Sequence, residues 1–350
     1  MNVVILHSAV SADAPPEDQD TLLQARMIAE RLAELGHDPI SLPCTLDFTA
    51  VAHELAALKP QKVFNLVESV EGADSLQHVP TAILDALGIS YTGNSTEAIF
   101  QTTHKLLAKQ LLHLAGLPTP AWLAADNKCN KGVRTIFPAS DGSRRPAAAC
   151  RGENSSDPFV TLEPPCILKA VWEHASRGLD DENVLEQGDT EYVRQKLREY
   201  AARIGRPCFA EQFIEGREFN LAVLDGPDGL EPLPPAEIDF SAFPPGKPRI
   251  VGHRAKWIEG SFEFNHTPRR FDFPAEDRLL LERLRDLTLA ACRLFSLRGY
   301  ARVDFRVDRA GVPWILEINT NPCLSPDAGF AAALDRAGIP HVEAIRRILG

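Results

Sequence analysis

Through residues 1–91, β-rich runs and helical runs alternate, and few architectures accept that order. Val3 to Leu6 is a short β-rich run, after which Leu22, Leu23, Met27, Ile28, Leu32 and Leu35 recur at helical spacing and Gly36 acts as a stop. Pro39 to Leu42 and Lys62 to Val67 are the next expected strands, separated by a helix around Val51 to Leu58. A further helix, Val79 to Leu87, ends at Gly88 and is followed by the short run Ile89 to Tyr91. Alternation of this kind predicts a parallel sheet covered by helices on both faces. Such sheets present ligand loops at the carboxyl ends of their strands.

The remaining chain mixes its elements differently. A helix is expected from Glu97 to about Ala115, stopped by Gly116 and Pro118. Asn127 to Asp157, rich in Lys, Arg, Ser, Gly, Asn and Pro, reads as an exposed excursion between strands. Strands follow at Pro165 to Val171 and Cys208 to Ile214, with a helix at Thr190 to Ile204 between them. Then come a strand near Phe219 to Leu224, a punctuated loop at Phe243 to Lys247 and a long helix from about Ala275 to Phe295. A hairpin-like pair, Ala301 to Val307 and Pro313 to Ile318, follows. At 350 residues the chain exceeds what one hydrophobic core supports, so several subdomains are expected.

Charge and cysteine usage exclude several functions. With 37 Lys+Arg against 48 Asp+Glu (37 − 48 = −11) and no long basic run, a nucleic-acid partner is not expected. The 7 cysteines are odd in number, scattered and without a Cys-x-x-Cys pair, which argues against a disulfide framework or zinc site and for a reducing compartment. No apolar stretch reaches the roughly 18–20 residues a membrane span requires. A soluble, cytoplasmic protein is the expectation.

Three sets of residues carry chemistry. Asp304 and Glu317 lie on successive strands joined by a turn at Arg309 to Gly311, and period-two alternation places Asn319 beside Glu317. They are either outward-facing polar residues of a hairpin or a clustered oxygen set, two carboxylates and an amide, suited to magnesium. Lys169 stands in the apolar run Cys166 to Val171, where a charge is costly without a partner and is placed to reach an anion. Lys105 on the helix near Glu97 and Lys256 after Arg254 have, taken singly, the look of surface lysines. In the third set a strand carries Glu211 and Gln212, passes Phe213 and Ile214, bends at Gly216 and returns with Glu218. That pattern suits an adenine between apolar walls, with Glu218 on the ribose. Walker-type and Rossmann glycine loops, a zinc helix of the His-Glu-x-x-His kind and a Gly-x-Ser-x-Gly elbow are all absent from the sequence.

Taken in order, these segments resemble the ATP-grasp superfamily, and within it the D-alanine–D-alanine ligase family. The matching pieces are Thr103-His-Lys105, Ile167-Leu-Lys169, Glu211 to Phe219, His253-Arg-Ala-Lys256-Trp, Arg302-Val-Asp304 and Leu316 to Pro322, with linking phrases at Leu87 to Gly93 and Ala115 to Pro120. The resemblance spans nearly the whole chain and weakens within Asn127 to Asp157. It implies a mixed α/β and α+β fold in three parts: an N-terminal parallel-sheet subdomain (1–94), a central subdomain (95–213) and a C-terminal catalytic subdomain (214–350), the last two enclosing ATP. By the same resemblance Lys105 and Lys169 meet the phosphates, and Glu211, Gln212, Phe213 and Ile214 line the adenine edge. Glu218 takes the ribose, Lys256 reaches the terminal phosphoryl group, and Asp304, Glu317 and Asn319 hold magnesium or manganese. Arg302 and Ser176 complete the catalytic set. The implied reaction joins a small-molecule carboxylate to an amine, both expected to be amino acids, through an acyl phosphate; a homodimer is common in the family.

The departures from the family pattern gather on the amino-acid side. The usual Ser-x-Glu-x-Glu-Val-Ser run reads Ala12 to Asp20, the usual His-Gly element is replaced within Val67 to Gly72, and the Glu-Gly-Ser-Ser-x-Gly loop reads Glu173-His-Ala-Ser176-Arg-Gly178. Cys323 replaces a glycine and Ala328 a serine that meets the second substrate's carboxylate. A non-D-alanine substrate is therefore expected. The competing expectation, kept open by Cys323 and His174, is a nucleotide-binding protein of the same fold with reduced catalysis, serving as a sensor or partner subunit.

Overall fold

A computed structural model describes residues 1–11, 13–124 and 162–350, and the expected excursion at Asn127 to Asp157 lies outside the described residues. The chain forms two compact units: Met1–Thr119 with Trp172–Asp181 and Ile214–Gly350, and Pro120–Val171 with Glu182–Phe213.

The first unit opens with the expected alternation. β1 (Asn2–Ser8) lies between β2 (Asp38–Cys44) and β3 (Lys62–Asn65), both parallel to it. The crossovers are α1 (Pro16–Glu34) and α2 (Phe48–Leu58), and α3 (Val79–Leu87) follows β3. α1 buries Thr21, Gln24, Ala25, Ile28 and Leu32, whereas Leu22 and Leu23 face outward, 39 % and 57 % exposed. Ile28 and Leu32 face inward as expected, with Met27 and Leu35 partly buried beside them, but Thr21, Gln24 and Ala25 take the inner positions in place of Leu22 and Leu23. Ile89 to Tyr91 forms only an isolated bridge, Tyr91 to Val63, rather than a strand.

The expected helix from Glu97 to Ala115 is two helices, α4 (Thr96–Thr103) and α5 (Lys105–Leu114). His104 separates them with φ −79° and ψ 90°, and its Nδ1 accepts the Leu107 amide at 3.1 Å, capping α5. The break turns Lys105 inward, where only 8 % of it is exposed.

A second sheet of the first unit, six strands in all, carries the site. β8 (Gly216–Gly226) pairs antiparallel with β9 (Gly229–Pro232), β10 (Ala236–Ile238) and β12 (Tyr300–Asp308); β11 (Arg269–Arg270) extends the edge beyond β10, and β13 (Pro313–Asn319) pairs with β12. The long helix that precedes β12 begins as a 3-10 turn at Ala275–Asp277 and is α-helical over Arg278–Leu294. Its Leu284, Ala291 and Cys292 pack on Phe219, Leu221, Val223, Val303, Phe305 and Ile315, one apolar face of the sheet. Residues 302, 304 and 306 alternate onto the opposite, polar face.

Among the described residues the second unit is a four-stranded antiparallel sheet, ordered β4 (Trp122–Ala124), β7 (Cys208–Gln212), β5 (Cys166–Ala170) and β6 (Val184–Leu185). Val193, Leu197 and Tyr200 of the helix Thr190–Ile204 pack on Cys166, Leu168, Ala170, Cys208 and Ala210.

Candidate active site

On the hairpin of β12 and β13, register does what the spacing predicts. Asp304 is aligned with Glu317 and Arg302 with Asn319. Immediately beyond, Phe305 is aligned with Ile315, so Leu316 is an extra residue in a β-bulge. Bulges of this kind re-aim side chains beside functional sites. The Asn319 amide lies 3.1 Å from Asp304 Oδ2, and the Arg302 guanidinium donates to both Asp304 oxygens at 2.7 Å. Asn220, aligned with Asp304 on β8, donates to Oδ1 at 2.8 Å.

Lys105 Nζ lies 3.8 Å from the Glu317 carboxylate and also donates to the Glu173 carbonyl. Lys256, in the short helix His253–Trp257, has its pKa lowered by burial first, while Glu317, Asp304 and Glu218 act the other way and Arg302 with the burial. Neither lysine is the solvated surface residue that each resembled singly. Around Arg302 burial opposes the charge, but Asp304 and Glu317 outweigh it and its pKa is raised. Glu218 is pushed up by burial against the pull of Arg306, whose Nη1 it accepts at 3.0 Å. Arg306 also donates to the Ile214 carbonyl at 2.9 Å, which ties the start of β8 to β12.

The loop Glu173 to Gly178 lies in the same unit. Ser176 donates its hydroxyl to the Val251 carbonyl at 2.9 Å, and Trp257 Nε1 donates to the Ala175 carbonyl at 2.9 Å. Arg177 pairs with Asp18 and lies 3.8 Å from Glu17. At the altered positions Asp20 accepts the Ser325 hydroxyl at 2.8 Å and the Cys323 thiol at 3.0 Å. Gln24 Nε2 lies 3.1 Å from Asp20 and 3.3 Å from Glu68. Burial, opposed by Gln24 and reinforced by Asp20 and Asp74, raises the Glu68 carboxyl to about 7.

The second unit holds its own expected set. Lys169 has the partner its apolar strand requires: Nζ donates to Glu211 Oε1 at 2.8 Å from the neighbouring strand. Gln212 Nε2 donates to the Pro165 carbonyl at 2.7 Å, and the Phe213 amide donates to the same carbonyl at 2.9 Å.

Arg302, Lys256, Lys105, Glu218, Asp304, Glu317, Asn319, Ser176 and Ile214 thus lie in the first unit; Lys169, Glu211, Gln212 and Phe213 lie in the second. Sequence reasoning missed Asn220, although it alternates with Glu218 along β8. It also missed Asp74, Arg177 and Glu68, which no spacing singles out. Among the described residues no group of three or more His, Cys, Asp or Glu is placed to hold a metal. The hairpin set has two carboxylates and an amide, and its hard oxygens fit magnesium chemistry.

The mixed parallel and antiparallel sheets with their helices match an ATP-grasp fold. Residues 153–350, more than half of the chain, match the family described as "D-ala D-ala ligase C-terminus", and the chain belongs to the D-alanine–D-alanine ligase family of the ATP-grasp superfamily. It is 27 % identical to a D-alanine–D-alanine ligase of Aquifex aeolicus, with 100 % of each chain covered. It is also 28 % identical to an uncharacterised protein of Sinorhizobium fredii over 96 % of this chain and 89 % of that one. Among solved structures, the D-alanine–D-alanine ligase of Bacillus anthracis complexed with ATP shares the fold at a TM-score of 0.66 and 19 % identity, covering 99 % of this chain and 96 % of that one.

Proposed function

We propose that the protein is an ATP-dependent carboxylate–amine ligase that forms an amide through an acyl phosphate. The observation that carries this reading is the single hairpin face bearing Arg302, Asp304, Glu317 and Asn319, with Lys105 3.8 Å from Glu317. Asp304, Glu317 and Asn319 would hold magnesium, or manganese in its place. When bound, the metal neutralises phosphate charge during transfer.

Lys105 and Lys169 are assigned to the phosphates, Glu211, Gln212, Phe213 and Ile214 to the adenine edge, and Glu218 to the ribose. Lys256 is assigned to the terminal phosphoryl group and Ser176 to the loop that covers it. In the first step an oxygen of the substrate carboxylate attacks the terminal phosphorus, and ADP leaves. In the second the amine attacks the acyl carbon, phosphate leaves with the bonding pair and the amine gives up a proton. Arg302, held by Asp304, is assigned to stabilising the oxyanion of that attack. No protein nucleophile is required, because phosphoryl transfer depends on positioning and charge neutralisation.

The three-part division at 94 and 213 belongs to this proposal. So does a substrate pair other than two D-alanines, which the network of Asp20, Glu68 and Cys323, at altered positions, with Gln24 and Ser325 supports. The test is phosphate release from magnesium ATP with a panel of amino acids and small carboxylic acids, with products identified by mass spectrometry. Substrate-dependent release with an amide product is expected. Tight ATP binding without turnover across the panel would favour the sensor or partner-subunit alternative, and a phosphorylated product without amide would mark a kinase.

A further inference from the structure

The loop from Glu173 to Gly178 carries a group that the chemistry above leaves unused. The peptide joining Glu173 to His174 is fixed on both sides: its carbonyl accepts from Lys105 Nζ, and its amide donates to Asp74 Oδ2 at 2.7 Å. Just beyond, Ala175 and Ser176 both have φ of 57°, in the left-handed region that side chains other than glycine rarely adopt. The Trp257 and Ser176 bonds to carbonyls maintain that conformation. Strained backbone kept in place by its surroundings is characteristic of functional loops.

The imidazole of His174 is acted on by Lys105, Glu317, Lys256 and Arg177. Its Nε2 is buried and has no hydrogen-bond partner among the described residues. A buried polar nitrogen left unpaired is costly and uncommon, so a partner from outside the chain is indicated. As a donor, Nε2 calls for an oxygen acceptor, and Lys105, Lys256 and Arg177, set against Glu317 and the nearby Asp74, favour one that is anionic. Burial first, then Lys105, holds the imidazole down to about 3, so the ring is neutral near pH 7 and one tautomer donates from Nε2. The related loop pattern has glycine at this position and offers no such donor.

We propose that His174 is a further catalytic residue, donating a hydrogen bond from Nε2 to the phosphoryl group as it passes from ATP to the substrate carboxylate. The inference rests on the ligase reading. A neutral donor fixed in advance stabilises the charge that develops on phosphoryl oxygens without adding a fourth cation to the cluster.

The test begins with nitrogen-15 NMR of the full chain labelled at histidine, with His174→Gln assigning the resonance. On adding magnesium, ADP and aluminium fluoride, which imitates the transferring phosphoryl group, the His174 Nε2–H resonance is expected to move downfield. An unmoved resonance, with ADP shown to be bound, overturns the proposal. In kinetics, His174→Ala is expected to lower kcat about a hundredfold while leaving the KM for ATP within about twofold, with His174→Gln recovering part of the loss through its amide donor. No ionisation of His174 is expected in the kcat–pH profile between about pH 5 and 8, because burial, reinforced by Lys105, Lys256 and Arg177 against Glu317, keeps the ring neutral. An acid limb near pH 6.5 that disappears in His174→Ala overturns the proposal. Should the wild-type protein release no phosphate with any substrate pair, the ligase reading fails, and the NMR experiment still decides whether His174 meets a phosphoryl group.

Discussion

Glu317 has a side chain 30 % exposed and no place in the apolar core, so its carboxylate contributes to charge placement more than to packing. Glu317→Gln is expected to lower turnover by roughly two orders of magnitude while shifting the thermal midpoint only slightly. Near-normal turnover in the folded variant would contradict the metal assignment. Glu68 and Asp74 are raised by burial, to about 7 and about 6. Each holds its proton more tightly folded than unfolded, so the stability it contributes is complete below the unfolded value of about 4 and is lost as pH rises through the folded value. His174 acts with the opposite sign, but only below about pH 6.5, its unfolded value. The buried histidines are common to both proteins, so between about pH 5 and 7 the urea midpoint is expected to fall relative to that of Glu68→Gln. Equal falls in both proteins would remove Glu68 as a cause.

The elements themselves set further demands. Gly216 opens β8 against β12, and a Cβ there would lie 1.9 Å from the Val307 carbonyl oxygen. Gly216→Ala is expected to cost about 2 kcal/mol or more in denaturant titration, because the obstacle is backbone rather than a movable side chain. His104 supplies a different kind of junction. His104→Ala removes the side-chain acceptor at the start of α5 and is expected to cost about 1 kcal/mol. A cost near zero would show that the Leu107 amide finds water instead. This junction was not legible in the sequence, since the apolar spacing of Leu106, Leu107, Leu111 and Leu112 continues through the helix from Glu97. The break comes from a histidine cap, which periodicity does not register. Strands with alternating pattern were far more legible: the Asp304 to Glu317 pairing followed from period two, whereas the Leu316 bulge did not.

For the molecule as a whole, some of the residues proposed to meet the nucleotide stood out because they are charges in an apolar or turn context that demands a reason. Lys169 in its strand is the clearest case, and Glu211 supplies the partner. The residues at the altered positions were less legible because their contacts join distant segments, such as Asp20 with Ser325, 305 positions apart. Binding of ATP to the folded chain should stabilise it by mass action, about 2.7 kcal/mol at a hundredfold excess over Kd. A thermal midpoint that rises with magnesium ATP, and rises less with ATP alone, is the expected result; no shift with either would count against nucleotide binding.

The hairpin also separates two kinds of inheritance. Arg302, Asp304, Glu317 and Asn319 travel on one short ribbon, whereas Asp20, Glu68 and Cys323 sit on three segments that can vary independently. Under the proposed ligase reading, descendants of such a scaffold are free to exchange the molecules they join while the ribbon stays unaltered, so new specificities should arise by drift in those segments.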